Sequence, residues 1–239
     1  MKLFIVVPVY NEEEIIENTI EILKLKLSEL ILSEQIDNSS RILLVDDGSA
    51  DDSWGAISNA GVLDKKIQGI RFSRNEGHQN ALMAGITYAY GQNADAVITI
   101  DADLQQDINA IDNFIIKFKT GADVVYGIRN SRKTDEIFKR FTANCFYKIM
   151  GILGTRVIKN HADYRLLSRK AMEALLEYRE TQLFLRGIVA SIGLVEEKVY
   201  FDVKDRSGGE SKYTISKMVS LALNGITSFS IHPMHLFFT

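Results

Sequence analysis

A chain of 239 residues, 46% hydrophobic and 25% charged, has ordinary globular composition and enough length for one large domain with a real core. Its single cysteine, Cys145, excludes a disulfide framework and makes a reducing compartment the default. No stretch reaches the roughly 18 uninterrupted apolar residues of a membrane-spanning helix, and the short apolar N-terminus turns acidic too soon for a signal peptide. The net charge of −3 hides an asymmetry: residues 1–128 carry 10 Lys and Arg against 20 Asp and Glu, residues 129–239 carry 18 against 11. A basic second half suits an anionic partner such as phosphate or an anionic membrane surface, although a solvated surface has the same composition.

Along the first half, strands and helices alternate. "LFIVVPV" (3–9) is an apolar strand, and "NEEEIIENTIEILKLKLSEL" (11–30) has helical periodicity, with acidic residues in its first turn, where they favour the helix dipole. "RILLVDD" (41–47) is a second strand, and "GSADDSWGAISNA" (48–60) is a turn into a helix. "IQGIRFS" (67–73) is a third strand, followed by a helix over 75–91 entered through Gly77 and left at Gly91. "DAVITID" (95–101) is a fourth strand, "INAIDNFIIKFKTG" (108–121) a helix closed by Gly121, and "ADVVYGIR" (122–129) a fifth strand. Strands separated by helices predict an α/β fold with a mostly parallel sheet covered on both faces.

The second half is less regular. Residues 133–153 are amphipathic, with Phe138, Phe141, Cys145, Ile149 and Ile152 at helical spacing among basic residues. "HADYRLLSRKAMEALLEY" (161–178) is expected to be a loop entering a helix, and "EEKVYFDVK" (196–204) alternates like a strand. "DRSGGESKYT" (205–214) is a polar loop, and the last 25 residues are a largely apolar amphipathic segment. With two prolines in the chain and no low-complexity linker, nothing marks a domain boundary. The division expected is a catalytic domain over 1–212, with halves 1–128 and 129–212, and an interfacial segment over 213–239.

Ligands of a parallel sheet gather at the carboxyl ends of its strands. Four polar clusters fall at such ends: "PVYNEE", "DDGS", "SRNEG" and "DADLQ". Asp101 and Asp103 repel each other, and keeping both ionised calls for a cation. A hard, oxygen-ligated ion such as Mg²⁺ or Mn²⁺, shared with a diphosphate, would serve. Taken singly, each cluster is also what a turn or a helix cap looks like. His78 could bond a phosphate, but capping or packing is the plainer reading of a histidine at a helix start, and His161 reads as an exposed loop histidine.

In order along the chain, "VPVYNEE", "VDDGSADDS", "SRNEGHQNAL", "IDADLQ", "HADYRLLSR", "RSGGESKY" and "LNGITSFS" resemble the inverting family 2 glycosyltransferases of GT-A, Rossmann-like fold. The likeness is to their polyprenyl-phosphate branch, and it covers nearly the whole chain. It implies that Pro8, Tyr10 and Glu12 line a nucleoside pocket and that Asp47 meets the base edge. Asp101 and Asp103, with Ala102 between them, would hold the metal and the donor diphosphate, with Gln105 near the donor sugar. Arg129, Arg206 and Lys212 would contact phosphates, Arg206 as part of the catalytic set with Asp103 and Asp163. Asp163 would lie near the acceptor, orienting it or Arg165. A hydroxyl acceptor would instead need Asp163 as a general base. A phosphate monoester is already mostly a dianion at neutral pH. Glycine often stands in this branch where Ala162 stands here.

The same resemblance implies a nucleotide-sugar donor, UDP-glucose favoured, a polyprenyl (undecaprenyl) phosphate acceptor and work at the cytoplasmic face of the cell membrane. Homo-oligomerisation is left open, and no nucleic acid takes part. Bacterial members carry transmembrane helices after a block like "LNGITSFS", so a chain cut before them is expected, with 133–153 and 213–231 as helices lying in the membrane interface. An enzyme glycosylating a saccharide hydroxyl is the alternative. A nucleotidyltransferase of similar fold would carry a Gly-rich, basic loop where this chain has "NEEE". A non-catalytic scaffold would not need Asp101, Asp103, Arg206 and Lys212 together.

Overall fold

A computed structural model describes residues 1–130, 161–178 and 185–203. Their elements in chain order are β1 (Leu3–Val9), α1 (Ile16–Leu32), β2 (Arg41–Asp46), α2 (Ser53–Leu63), β3 (Ile67–Arg71), α3 (His78–Gly91), β4 (Ala96–Thr99), α4 (Ala110–Lys119), β5 (Val124–Arg129), β6 (His161–Ser168), α5 (Arg169–Leu176), α6 (Leu185–Ser191) and β7 (Glu196–Phe201). The seven strands form one sheet in the order β3-β2-β1-β4-β6-β5-β7. All pairings are parallel except the two made by β6, which runs antiparallel between β4 and β5.

The alternating pattern builds three layers. Leu3, Ile5, Val7 and Val9 of β1 face α1, α2 and α4, where Ile16, Ile20, Leu23, Ile57, Ile111 and Phe114 are buried with them. Phe4 and Val6 face the other way, onto Leu82 and Ile86 of α3, with Met172 of α5 and Ile188 of α6 in the same cluster. A sheet buried on both faces needs strands apolar on both sides, and β1 is buried at all seven positions.

Two features of the sequence set the strand ends. Pro8 has no N–H to donate, and on the β4 side of β1 the ladder ends with Ile100 N–H donating to Val6 O at 3.0 Å. Beyond that bond β4 leaves the sheet and the chain turns at Asp101. On the β2 side the pairing continues through Pro8 opposite Val45 to Val9 opposite Asp46. A crevice therefore opens between β1, whose connection runs to β2 on one side, and its neighbour β4, whose connection runs through α4 to β5 on the other.

Two sequence expectations are corrected. Helix α1 starts at Ile16, so Glu12, Glu13 and Glu14 precede it and only Glu17 lies in its first turn. Asn11 takes a left-handed φ of 52°, which bends the chain away from helix at that point. "HADYRLLS" is the eight-residue strand β6 and not a loop. Its Asp163 and Arg165 are buried against one another, so two charges sit where a strand interior normally shows apolar residues. The amphipathic segments 133–153 and 213–231, the loop 205–214 and the expected domain division at 212 lie outside the described residues.

Close packing between α3 and the sheet yields a prediction. A Cβ on Gly85 would stand 2.3 Å from Val6 Cγ1 and 3.2 Å from Val45 Cγ2, both in central strands, whereas one on Gly91 would meet nothing within 4 Å. Gly85→Ala should destabilise by about 1–3 kcal/mol through overpacking, and Gly91→Ala should be neutral or slightly stabilising. Urea titrations of the two variants check the contrast.

Candidate active site

The loop after β1 and the loop after β2 are laced together at the carboxyl edge of the sheet. Asn11 N–H donates to Ser49 Oγ at 2.9 Å, and Ala50 N–H donates back to Asn11 Oδ1 at 2.8 Å. Glu12 N–H donates to Ser53 Oγ at 2.9 Å, and Asp52 N–H to Glu13 Oε2 at 2.9 Å. The short polar side chains of "YNEE" and "GSADDS" are what make this lacing available. It brings Pro8, Tyr10, Glu12 and Asp47 to one side of the crevice. Pro8 is buried in β1, and Tyr10 is 39% exposed.

Asp47 has a structural task. Its buried carboxylate accepts from Glu76 N–H at 2.8 Å and from Gly77 N–H at 3.0 Å, which fixes the loop from β3 into α3. Burial pushes this carboxyl above its ordinary value, against those two backbone donors, which favour its charged form. Asp46 is fully buried, with Arg71 Nε 3.2 Å from its Oδ2. Arg71 also lines a cleft with Gly48, Ser49, Phe72 and Ser73 beside the same edge.

At the end of β4 the turn carrying the two carboxylates is pinned from both sides. Thr19 of α1, itself buried, donates from Oγ1 to Ala102 O at 2.7 Å. Gln106 donates from Nε2 to Asp101 Oδ2 and is 2% exposed. Asp103 Oδ1 accepts from Gln105 N–H at 3.2 Å, and Leu104 has a left-handed φ of 46° that lets the turn close. Gln106 was not singled out from the sequence. Its neighbour Gln105 was, but in this arrangement Gln106 is the residue whose side chain orients Asp101.

The third wall comes from β6 and α6. Because β6 runs antiparallel to β4, with Arg165 opposite Thr99, its first residues arrive beside Asp101. Thr99 Oγ1 donates to Asp163 O at 2.5 Å. The Asp163 carboxylate, only 6% exposed, accepts from the Arg165 guanidinium through Oδ1. It also accepts from Arg186 Nη2 through Oδ2 at 2.9 Å, and from Arg186 Nε at 3.3 Å. Burial by itself would raise this carboxyl, but the Arg186 and Arg165 guanidiniums outweigh it and hold Asp163 well below the usual carboxylate range. Arg186 rides on α6, whose first N–H, that of Leu185, is accepted by Gln79 Oε1 at 3.2 Å. Sequence reasoning missed Arg186; only the fold, by closing α6 over β6, reveals its role.

His78 joins the walls. Its Nε2 lies 3.7 Å from Asp101 Oδ1 and 3.8 Å from Asp163 Oδ2. The N-cap of α3 is Gly77, and no side chain caps that helix. His78 is 40% exposed, and the expectation that it caps the helix does not hold. Arg129 is exposed at the same end of the sheet, on β5, two strands from β4. Arg206 and Lys212 lie outside the described residues, as does the side chain of His161.

The described residues offer a divalent ion two clustered carboxylates, Asp101 and Asp103, and no group of three or more ligating side chains. Two carboxylate oxygen donors, one of them oriented by Gln106, fit a hard cation that takes its remaining ligands from diphosphate and water. Among the described residues no helix is long and apolar enough to cross a membrane.

Comparison with known proteins agrees with this layout. Residues 4–176 match the family described as "Glycosyl transferase family 2". The chain is 47% identical over 98% of its length to the uncharacterized glycosyltransferase YkoT of Bacillus subtilis, covering 69% of that protein. It is 38% identical over 99% of its length to the bactoprenol glucosyl transferase of Shigella phage SfV, covering 74% of that protein. In fold it is similar to mannosyl-3-phosphoglycerate synthase from Rubrobacter xylanophilus, at a TM-score of 0.59 and 14% identity over 95% of this chain and 73% of that one. It is also similar to glucosyl-3-phosphoglycerate synthase from Mycobacterium tuberculosis, solved with Mn²⁺, UDP-glucose and phosphoglyceric acid, at 0.54 and 16% over 93% and 76%.

The Asp163 cluster generates a pH prediction. A carboxyl whose folded-state pKa is depressed contributes stability that is fully present above its unfolded value, near 4, and is lost as pH falls through the folded value. Asp163→Asn leaves two guanidiniums without their shared carboxylate and should cost about 3–5 kcal/mol at pH 7. The gap between wild type and variant should narrow below about pH 4, as denaturant titrations at pH 7, 5 and 3 would record.

Proposed function

As the chain belongs to glycosyl transferase family 2, with the GT-A fold, we propose that it is an inverting transferase moving a sugar from a nucleotide-sugar, UDP-glucose first among candidates, to a polyprenyl phosphate at the cytoplasmic membrane surface. One observation carries the acceptor class. Asp163, the carboxylate nearest the acceptor side, is bonded to Arg165 and Arg186 and held well below the usual range. A carboxylate so placed is a poor proton acceptor at neutral pH, and a sugar hydroxyl would need one. A phosphate monoester does not, because its second pKa is about 6. Relatives named bactoprenol glucosyl transferases at 37–38% identity support the same class.

The roles we assign are those the family resemblance implies, supported where the described residues line the crevice. Tyr10, Glu12 and the laced loops hold the nucleoside, with Pro8 behind them and Asp47 keeping the β3–α3 loop in place. Asp101 and Asp103 would hold Mg²⁺ or Mn²⁺, which when bound would offset the charge of the donor diphosphate. Ala102 keeps the turn tight, and Gln105 is placed beside the donor sugar. Arg129, and Arg206 and Lys212 beyond the described residues, are assigned to phosphate contacts. Asp163 positions Arg165 and Arg186 and does not accept a proton. The acceptor phosphate oxygen forms a bond to the anomeric carbon as the bond from that carbon to the diphosphate oxygen breaks. The electron pair leaves with the nucleoside diphosphate, and the configuration inverts.

The test is a partition assay. Protein in detergent with Mn²⁺ or Mg²⁺ and undecaprenyl phosphate is given labelled UDP-glucose, UDP-N-acetylglucosamine, UDP-galactose and GDP-mannose in turn. Label should enter the organic phase from one donor and vanish with Asp103→Ala. Metal-dependent UDP binding without organic-phase label from any donor would overturn the lipid acceptor in favour of a hydroxyl acceptor.

A further inference from the structure

We infer that His78 is a catalytic residue of this transferase, donating a hydrogen bond from its ring to an oxygen of the incoming acceptor phosphate; this rests on the lipid-phosphate reading above. The side chain projects into the crevice from the start of α3 and is 40% exposed. Its Nε2 is 3.7 Å from Asp101 Oδ1 and 3.8 Å from Asp163 Oδ2, beyond hydrogen-bonding distance of either. Toward these two carboxylates the ring stands at ion-pair distance, with its Nε2 held between them.

Position and charge indicate what it awaits. Asp101 belongs to the donor side, beside Asp103. Asp163 belongs to the acceptor side, its carboxylate already engaged by Arg165 and Arg186. His78 lies within 4 Å of both carboxylates, between the donor and acceptor sides of the proposed reaction. A dianionic phosphate entering there passes two carboxylates. A donor between them offsets that repulsion and aims one phosphate oxygen while another attacks. The role needs an N–H at Nε2 and no change in protonation during the step. It calls for no further reactant, since the attacking oxygen carries its own electron pair.

Gln places an amide N–H near the reach of Nε2, whereas Leu fills similar space without a donor. With the full chain in detergent, undecaprenyl phosphate and the donor that labels it, His78→Leu should lower kcat/KM for the lipid phosphate about 10–100-fold, the range for one hydrogen bond to a charged group. KM for the nucleotide-sugar, and its slow hydrolysis without lipid, should stay within about twofold, since neither uses this bond. His78→Gln should recover most of the loss. If His78→Leu depresses lipid-free hydrolysis as far as transfer, or raises donor KM equally, His78 serves the donor and the inference is wrong. It is equally wrong if Gln performs no better than Leu. Failure of the unaltered protein to label undecaprenyl phosphate would instead remove the lipid-phosphate reading, and this role with it.

Discussion

One carboxylate shared by two guanidiniums, buried at the start of an antiparallel strand, is the contact on which one wall of the crevice rests. Asp163 could not be left there alone, since an isolated charge at that depth would be expelled or neutralised. Arg165, two residues on and on the same face of β6, supplies one partner. Arg186, from α6, supplies the other. Each arginine depends on the same carboxylate, so strand, helix and loop are held in register by one small polar cluster. Gln79 ties the start of α6 to α3, so the helix that bears His78 is joined to it as well.

The wall at the end of β4 obeys a different rule. There the chain is held open by what it lacks: Pro8 offers no N–H where β4 departs, and the turn at Asp101 is then pinned through Thr19 and Gln106. Two like charges are kept close with bonds from their neighbours, the Gln106 amide on Asp101 and the Gln105 N–H on Asp103.

Much of this was legible in the residues. The alternation of apolar runs and periodic segments gave the first five strands and four helices, because their burial is apolar and local. Strand β6 was hidden because Asp163 and Arg165 cancel each other only after folding. Read singly along the chain they look like loop charges. Arg186 was hidden for a related reason, since its partner lies 23 residues away and meets it only when α6 closes. Gln106 was overlooked beside Gln105 because two adjacent glutamines carry the same letter and only the turn decides which one faces Asp101. His78 was seen, but its direction was not, since a helix start admits a side chain pointing along the axis or across the crevice.

The laced loops after β1 and β2 have a kinetic side. Four reciprocal hydrogen bonds close them before any ligand arrives. The ordering entropy of that wall is therefore spent during folding and not at each encounter with a nucleotide. Association on this side is then governed by diffusion and by the electrostatic field near the mouth, and dissociation by the contacts alone. On the proposed reading, a nucleotide meeting this wall finds these two loops already ordered.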